Sequence, residues 1–365
     1  MSVSYGGSSI TFEDGSIVSS GSAGFKNKII NGAMMIDQRN VGASVTANNN
    51  TVFSADRWFG EDGTDGTFTL QQTTTAPAGF KYSIKATVGT ADASLTTTQL
   101  AIFGQRIEGY NVSDLDWGTA NAKTITISWW TRSSATGSFG GAVWNSAGDR
   151  SYPFSYTINS ADTWEYKTVT IAGDTSGTWL TTNGRGINLA FALGAGPSYS
   201  STANIWTAQQ SVSSTGATNL MATSDANLYI AGVQLEKSTT ASSFEFRSYG
   251  KELMLCQRYY EKSYDIDTVP GTSVSDNKGV VMFRGSGVNS RDYVPIYFKQ
   301  TKRDAPTVTI FSSTGASGFY RDVETPTNLA AQVNGSGTSL TVMQSNSTAT
   351  TNKQCSFLWT ASSEL

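Results

Sequence analysis

Short runs in which apolar and polar residues alternate recur along this chain, and they leave few folds open to it. They fall at residues 66–72, 80–88, 123–131, 164–171, 187–193 and 227–235. A period of two turns one face of a segment to a core and the other to water. Clusters of Gly, Ser, Asn and Asp separate the runs and supply turns. Strands at this spacing predict a β-sandwich or jelly roll. No short fixed repeat is present, which argues against a β-helix or propeller. The chain holds 48 Ser, 48 Thr and 36 Gly in 365 residues, an enrichment that alone would suit disorder. Its 9 Trp, 15 Tyr and 17 Phe supply core material instead. Thr and aromatics together favour strands, so the expected class is all-β.

Composition removes whole classes of chemistry. The chain has no His. Ser-His-Asp and Cys-His catalysis, His proton shuttles and His-ligated metals are therefore excluded. Net charge is −3, with no basic tract that would mark a nucleic-acid partner. The only cysteines are Cys256 and Cys355. They are too far apart for a zinc motif and read as two buried thiols, with a single disulfide as the alternative. No apolar run approaches the ~18 residues needed to span a bilayer. Residues 1–20 lack the basic start and apolar stretch of a signal peptide. No cofactor, metal site or membrane insertion is expected. Synthesis in a cytoplasm and release by lysis fits such a chain.

Three segments follow from the pattern. Residues 1–27 form a Ser/Gly-rich arm whose apolar points, Ile10 and Phe12, precede an Glu13-Asp14-Gly15 turn. Such a segment buries too little to fold alone and reads as an anchor. Residues 28–247 carry the alternating runs. Residues 248–365 open with a helix reaching to Lys262, with Leu253, Cys256, Gln257 and Tyr260 on one face. Further strand-like runs at 278–284, 294–299, 306–311, 340–343 and 355–361 make a smaller β domain. From residue 248 onward there are 11 basic and 10 acidic residues, so neither part suggests a charged partner.

Several motifs add a resemblance. Asn31-Gly-Ala-Met-Met-Ile-Asp-Gln-Arg39 is followed by Ser54-Ala-Asp-Arg-Trp-Phe59, Ala231-Gly-Val-Gln-Leu-Glu-Lys-Ser238, Phe244-Glu-Phe-Arg-Ser-Tyr249, Glu252-Leu-Met-Leu-Cys-Gln-Arg-Tyr-Tyr-Glu-Lys262 and Trp359-Thr-Ala-Ser-Ser-Glu-Leu365. In this order they resemble the structural proteins of bacteriophage virions, tail fibres among them, over nearly the whole chain. The arm's Ile10-Thr-Phe-Glu-Asp-Gly-Ser16 is similar to a strand-turn near the start of many tail-fibre proteins. This implies a virion location, attachment to other tail or capsid proteins through the arm, and a homotrimer. Within it, residues 124–236 resemble jelly-roll carbohydrate-binding modules of bacterial glycan hydrolases, through Trp129-Trp-Thr-Arg132, Thr163-Trp-Glu-Tyr166 and residues 228–235. That likeness implies Trp164 in the core and a surface suited to host polysaccharide. Such modules often carry Asp where this chain has Ala231-Gly232, so the calcium that such an Asp supports is not implied here.

The expected function is a non-enzymatic virion protein of tail-fibre type that contacts host-surface glycans. The alternatives are a purely structural capsid or tail decoration protein and a surface-glycan depolymerase. Trp144, Trp179, Tyr199 and Trp206 lie in stretches rich in small polar residues and are the expected glycan or interface contacts. Leu253, Cys256 and Tyr260 are the expected oligomer contacts if the helix lies on a threefold axis, and a linker helix packed on its own domain is the alternative. Trp129 and Trp130 are adjacent on a strand, so one faces the core and one faces out. Asp56-Arg57-Trp58 reads as a buried Arg–Asp pair beside a core Trp. The acidic clusters Glu61–Asp65 and Asp114–Trp117 read as turns rather than catalytic pairs.

Overall fold

The computed structural model describes the backbone of residues 4–6, 9–11 and 17–19, and all of residues 25–274, 278–286, 291–345 and 352–365. The three short strands Ser4–Gly6, Ser9–Thr11 and Ile17–Ser19 pair antiparallel. The side chain of Ile10 and all of Phe12 lie outside the described residues.

Residues 45–236 build a sandwich of two six-stranded antiparallel sheets. The first runs in the order Glu165–Ile171, Ile125–Ser133, Asn227–Glu236, Ser83–Val88, Phe68–Thr73, Val45–Ala47. The second runs Ser151–Ile158, Gly137–Trp144, Arg185–Ala195, Leu100–Glu108, Trp58–Asp62, Thr51–Phe53. This is the expected jelly-roll arrangement. The inner faces meet in one core containing Trp58, Phe68, Phe103, Trp129, Phe154, Leu189 and Phe191. Trp129 is fully buried, and Trp130 stands on the opposite face against Tyr166, ring centres 5.3 Å apart. Trp164 departs from the expectation. It precedes its strand and is half-buried against Tyr229, because the outer face of the first sheet is open to water there.

Ser200–Ser201 pairs with Ser213–Ser214 as a separate parallel pair, and the strands from Tyr260 onward form a curled eight-stranded sheet centred on Gln354–Ser362. That strand pairs with Tyr260–Lys262 and Thr307–Phe311 along its second half and with Val281–Arg284 and Phe319–Asp322 along its first. Tyr320, Met343, Cys355 and Phe357 fill the hollow. The helix is shorter than expected. It spans Tyr249–Gln257, and Tyr260–Lys262 belongs to the sheet instead. Tyr260–Lys262 pairs with Thr360–Ser362 of the central strand, and Glu261 forms a fully buried ion pair with Lys302 at 2.5 Å. Both cysteines are free and buried in separate clusters.

The two β units are joined by a polar knot. Asn31, at a positive φ of 59°, uses its side chain to accept from Ile36 N (3.0 Å) and to donate to the carbonyls of Ile36 (2.8 Å) and Asp56 (3.0 Å). Gly32 is required because a Cβ there would lie 2.2 Å from the Val233 carbonyl. Gln38 donates to Asp56 and to the Tyr260 carbonyl at 2.5 and 2.9 Å. Arg39 pairs with Glu364 (3.0 Å) and Asp56 (3.6 Å) and lies 3.7 Å over the Tyr260 ring. The other carboxylate oxygen of Glu364 pairs with Arg57. The expected Arg57–Asp56 pair is thus corrected. The three residues are buried, but Asp56 turns to Arg39 and Arg57 to Glu364. On the far side Glu108 accepts from Arg258 (2.8 and 2.5 Å) and from the Tyr259 hydroxyl (2.6 Å).

Removing one partner of a buried pair strands the other. Glu364→Ala is expected to lower stability by about 3–5 kcal/mol in urea unfolding. Glu324→Ala, at an exposed site, is expected to change it by less than about 1 kcal/mol. Burial raises the Asp56 carboxyl from 3.8 to about 6, against the pull of Arg39 and Gln38. A raised folded-state value favours the protonated chain. The associated stability is fully present below about pH 4 and lost as pH rises through about 6. The melting temperature of the native chain relative to Asp56→Asn should therefore rise between pH 7 and pH 5. A carboxyl carbon titration midpoint near 4 instead would contradict the assignment.

Candidate functional site

The outer face of the second sheet carries a polar recess. Strand register sets its members. Thr51 pairs with Glu61 and Glu61 with Ile102; Arg106 pairs with Asn188 and Asn188 with Trp144. Directly paired residues share a face. Phe103, Leu189 and Val143, one position along, point into the core. The middle of the outer face is lined with small residues, Gly104, Ala142, Ala190 and Ala192, so the covering chain can come close. At Gly140 an added Cβ would sit 2.0 Å from the Ser213 hydroxyl of the covering segment.

A loop closes one side. Val212 donates its amide to the Tyr199 carbonyl at 2.8 Å and packs with Ala142, Trp144 and Ala190. What remains open is a recess of about 300 Å³ lined by Thr51, Glu61, Leu100, Ile102, Arg106, Trp144, Arg185, Asn188 and Gln210. Arg106 holds one wall. Its guanidinium donates to Glu61 at 2.9 Å and to the Leu365 main-chain oxygen at 2.7 Å, and lies 4.3 Å over the Phe59 ring. Burial, with the Arg185 charge beside it, pushes Arg106 down to about 10. Arg185 is also lowered, by burial first and then by Arg303, while Glu61 opposes the shift. Both remain cations at neutral pH. Asn188 is fixed by donating to the carbonyls of Trp144 and Asn145 at 3.1 and 3.2 Å.

The four aromatic side chains expected at a binding surface divide between two places. Trp144 ends the strand Gly137–Trp144 rather than lying in a loop; it is 6% exposed, as buried as Trp179, and only that small accessible part lines the recess. Tyr199 packs against the same outer-face cluster. Trp179 and Trp206 are elsewhere. With Trp117 and Tyr152 they form an edge-to-face group, ring centres 4.6–5.6 Å apart. Trp179 is 8% exposed there. Sequence alone does not single out Arg106, Arg185 and Asn188, because single polar residues in strands carry no local signal, nor Gln210, a lone polar residue in a loop. Only the fold assembles them.

Leu253, Cys256 and Tyr260 pack within the chain. Cys256 is fully buried with Ile30, Ile36, Tyr259 and Leu365, and Leu253 lies against that cluster. Burial raises the Cys256 thiol well above its usual value. The acidic clusters are tied up locally. Asp62 accepts from Thr64 at 2.8 Å, and Asp114 pairs with Lys28 and Lys237 at 2.8 and 3.0 Å. Among the described residues no group of three or more Cys, Asp and Glu side chains could hold a metal ion. No described helix is long and apolar enough to cross a membrane.

Trp179→Ala is expected to cost about 3–5 kcal/mol in thermal unfolding, as for a core aromatic. Tyr166→Ala, at a side chain 45% exposed, is expected to cost less than about 1 kcal/mol. Equal effects would contradict the division between packing and exposed aromatics.

No family model and no curated protein matches the chain. Among solved structures it is similar to the enzymatically active domain of tailspike protein 4 of bacteriophage CBA120, with 12% identity and a TM-score of 0.30. That match covers 58% of this chain and 21% of the tailspike chain. It is also similar to a family 11 carbohydrate-binding module from Clostridium thermocellum in complex with a β-1,3-1,4-mixed-linked tetrasaccharide, with 11% identity, coverage of 54% and 98%, and a TM-score of 0.28. A third is the CBM22-1–GH10 portion of xylanase 10B from Clostridium thermocellum with xylohexaose, with 13% identity, coverage of 57% and 30%, and a TM-score of 0.28. At these identities and TM-scores they say nothing of this chain's ligands.

Proposed function

We propose that the chain is a non-enzymatic bacteriophage virion protein of tail-fibre type that contacts host-surface glycan through the outer-face recess. The observation that carries the glycan contact is the composition of that recess. It sets the small accessible part of Trp144, 6% of its surface, beside guanidinium, amide and hydroxyl groups in a space of about 300 Å³. Sugars present apolar ring faces and hydroxyl edges, and such a mixture meets both. The ordered set of motifs from Asn31 to Leu365 supports the virion assignment. By that same resemblance the chain is a homotrimer, anchored to tail or capsid proteins by residues 1–27. Three copies would raise a weak single-site affinity by multivalency.

Binding without hydrolysis is the better reading of the recess. Hydrolysis of a glycosidic bond calls for two carboxyl groups across the sugar. Among the described residues lining the recess Glu61 is the one carboxylate, and it is paired with Arg106. The second reading is a decoration protein with a purely structural role. The burial of Trp144 and Trp179, at 6% and 8% exposed, favours it, since two of the expected surface aromatics are used largely for packing.

The test is binding of the purified chain to host cells and to their extracted polysaccharide, with Trp144→Ala and Trp206→Ala compared. Saturable binding, weakened about tenfold or more by Trp144→Ala and unchanged by Trp206→Ala, without shortening of the polymer, is the expected result. No binding by a chain that still enters virions would favour the decoration role. Deletion of residues 1–24 is expected to leave a folded chain that no longer joins particles. Sedimentation should give three times 38.8 kDa.

A further inference from the structure

Resting on the glycan reading, we propose that the recess selects acidic sugars and takes a carboxylate on Arg185, with Arg106 beside it. The first observation is the bonding state of the two guanidiniums. Arg106 is satisfied by Glu61 and the Leu365 main-chain oxygen. Among the described residues the half-buried Arg185 guanidinium makes no hydrogen bond or ion pair. It therefore presents unpaired donors to the recess in a planar fork that matches a carboxylate.

The second observation is the local charge. Arg106 and Arg185 both line the recess, and Glu61 is the one acidic lining group among the described residues. Arg303 stands behind Arg185 and is held there by the main-chain oxygens of Ser363, Glu364 and Asn183 at 2.9–3.1 Å. Burial first, and then the Arg185 charge, lowers Arg106; burial first, and then the Arg303 charge, lowers Arg185, with Glu61 opposing both shifts. A bound anion would relieve the mutual repulsion of these cations. Gln210 from the covering loop and Thr51 from the edge strand supply neutral groups for sugar hydroxyls. The site is therefore cationic inside a chain of net charge −3.

Oligogalacturonide is the probe, and its methyl ester is the control, because the ester keeps the sugar and removes the charge. Affinities for both are measured by calorimetry on the full chain, on Arg185→Gln and on Arg185→Lys. The free acid is expected to bind about tenfold or more tighter than the ester, and less tightly as salt is raised. Arg185→Gln should abolish that preference, and Arg185→Lys should restore part of it, since the charge returns without the fork. Glu61→Gln should tighten the acid severalfold by freeing Arg106. Equal binding of acid and ester by the native chain would overturn the selectivity while leaving the glycan reading standing. Binding of neutral xylo-oligosaccharides without oligogalacturonide would do the same. Failure of all three sugars would overturn both readings.

Discussion

The structure depends on one buried carboxylate. Glu364 lies between Arg39 and Arg57, with Asp56 on the far side of Arg39. They come from three separate segments, at 39, 56–57 and 364, so their meeting ties the first β unit to the second. Burying such charges is costly, and the cost is offset only when each has a partner and good geometry. Here the guanidiniums also stack on Tyr260 and Tyr259 at 3.7 and 3.6 Å, which shields the flat faces that hydrogen bonds leave bare. An apolar junction would tolerate sliding. A junction built from forked ion pairs has one register.

That register reaches the recess. Arg57 donates to the Arg106 carbonyl, and the Leu365 main-chain oxygen accepts from the Arg106 side chain. Arg106 is thus held from both ends by the knot, and its guanidinium cannot turn away from Glu61. Arg303, docked on the same C-terminal residues, is fixed behind Arg185. The cationic wall of the recess is therefore a by-product of how the two β units join. A change in the knot would be felt at the recess with no contact to a ligand.

The all-β class and the two-unit organisation were legible because alternation survives wherever one sheet face is wet. It failed where both faces are covered. Leu100–Glu108 is buried at every position, since the loop and the C-terminal residues cover its outer side, so its sequence shows a run instead of a period. Gly137–Trp144 was hidden by its glycines, which let Ser213 sit over Gly140. The expected helix ran too far because a charged, aromatic stretch suits helix or strand, and the strand Tyr260–Lys262 is formed by pairing with Thr360–Ser362, about 100 positions away. The motifs from Asn31 to Arg39 and from Asp56 to Trp58 were visible as motifs. Their role was not, because it lies in contacts with residues over 200 positions away.

The recess was illegible for a different reason. Net charge averages over the whole surface, whereas a ligand meets only the charges within about one Debye length, ~8–10 Å. A chain with fewer basic than acidic residues can still gather three arginines at one place if its acids are consumed elsewhere. That is the case here: Glu364, Asp56 and Glu108 are committed to the knot, and Asp114 to Lys28 and Lys237. Pairing the acids inside leaves Arg185 unpaired at the rim. The same interactions that hold the fold together thus set the sign of the potential that a ligand would meet, and only the folded topology reveals which charges remain free.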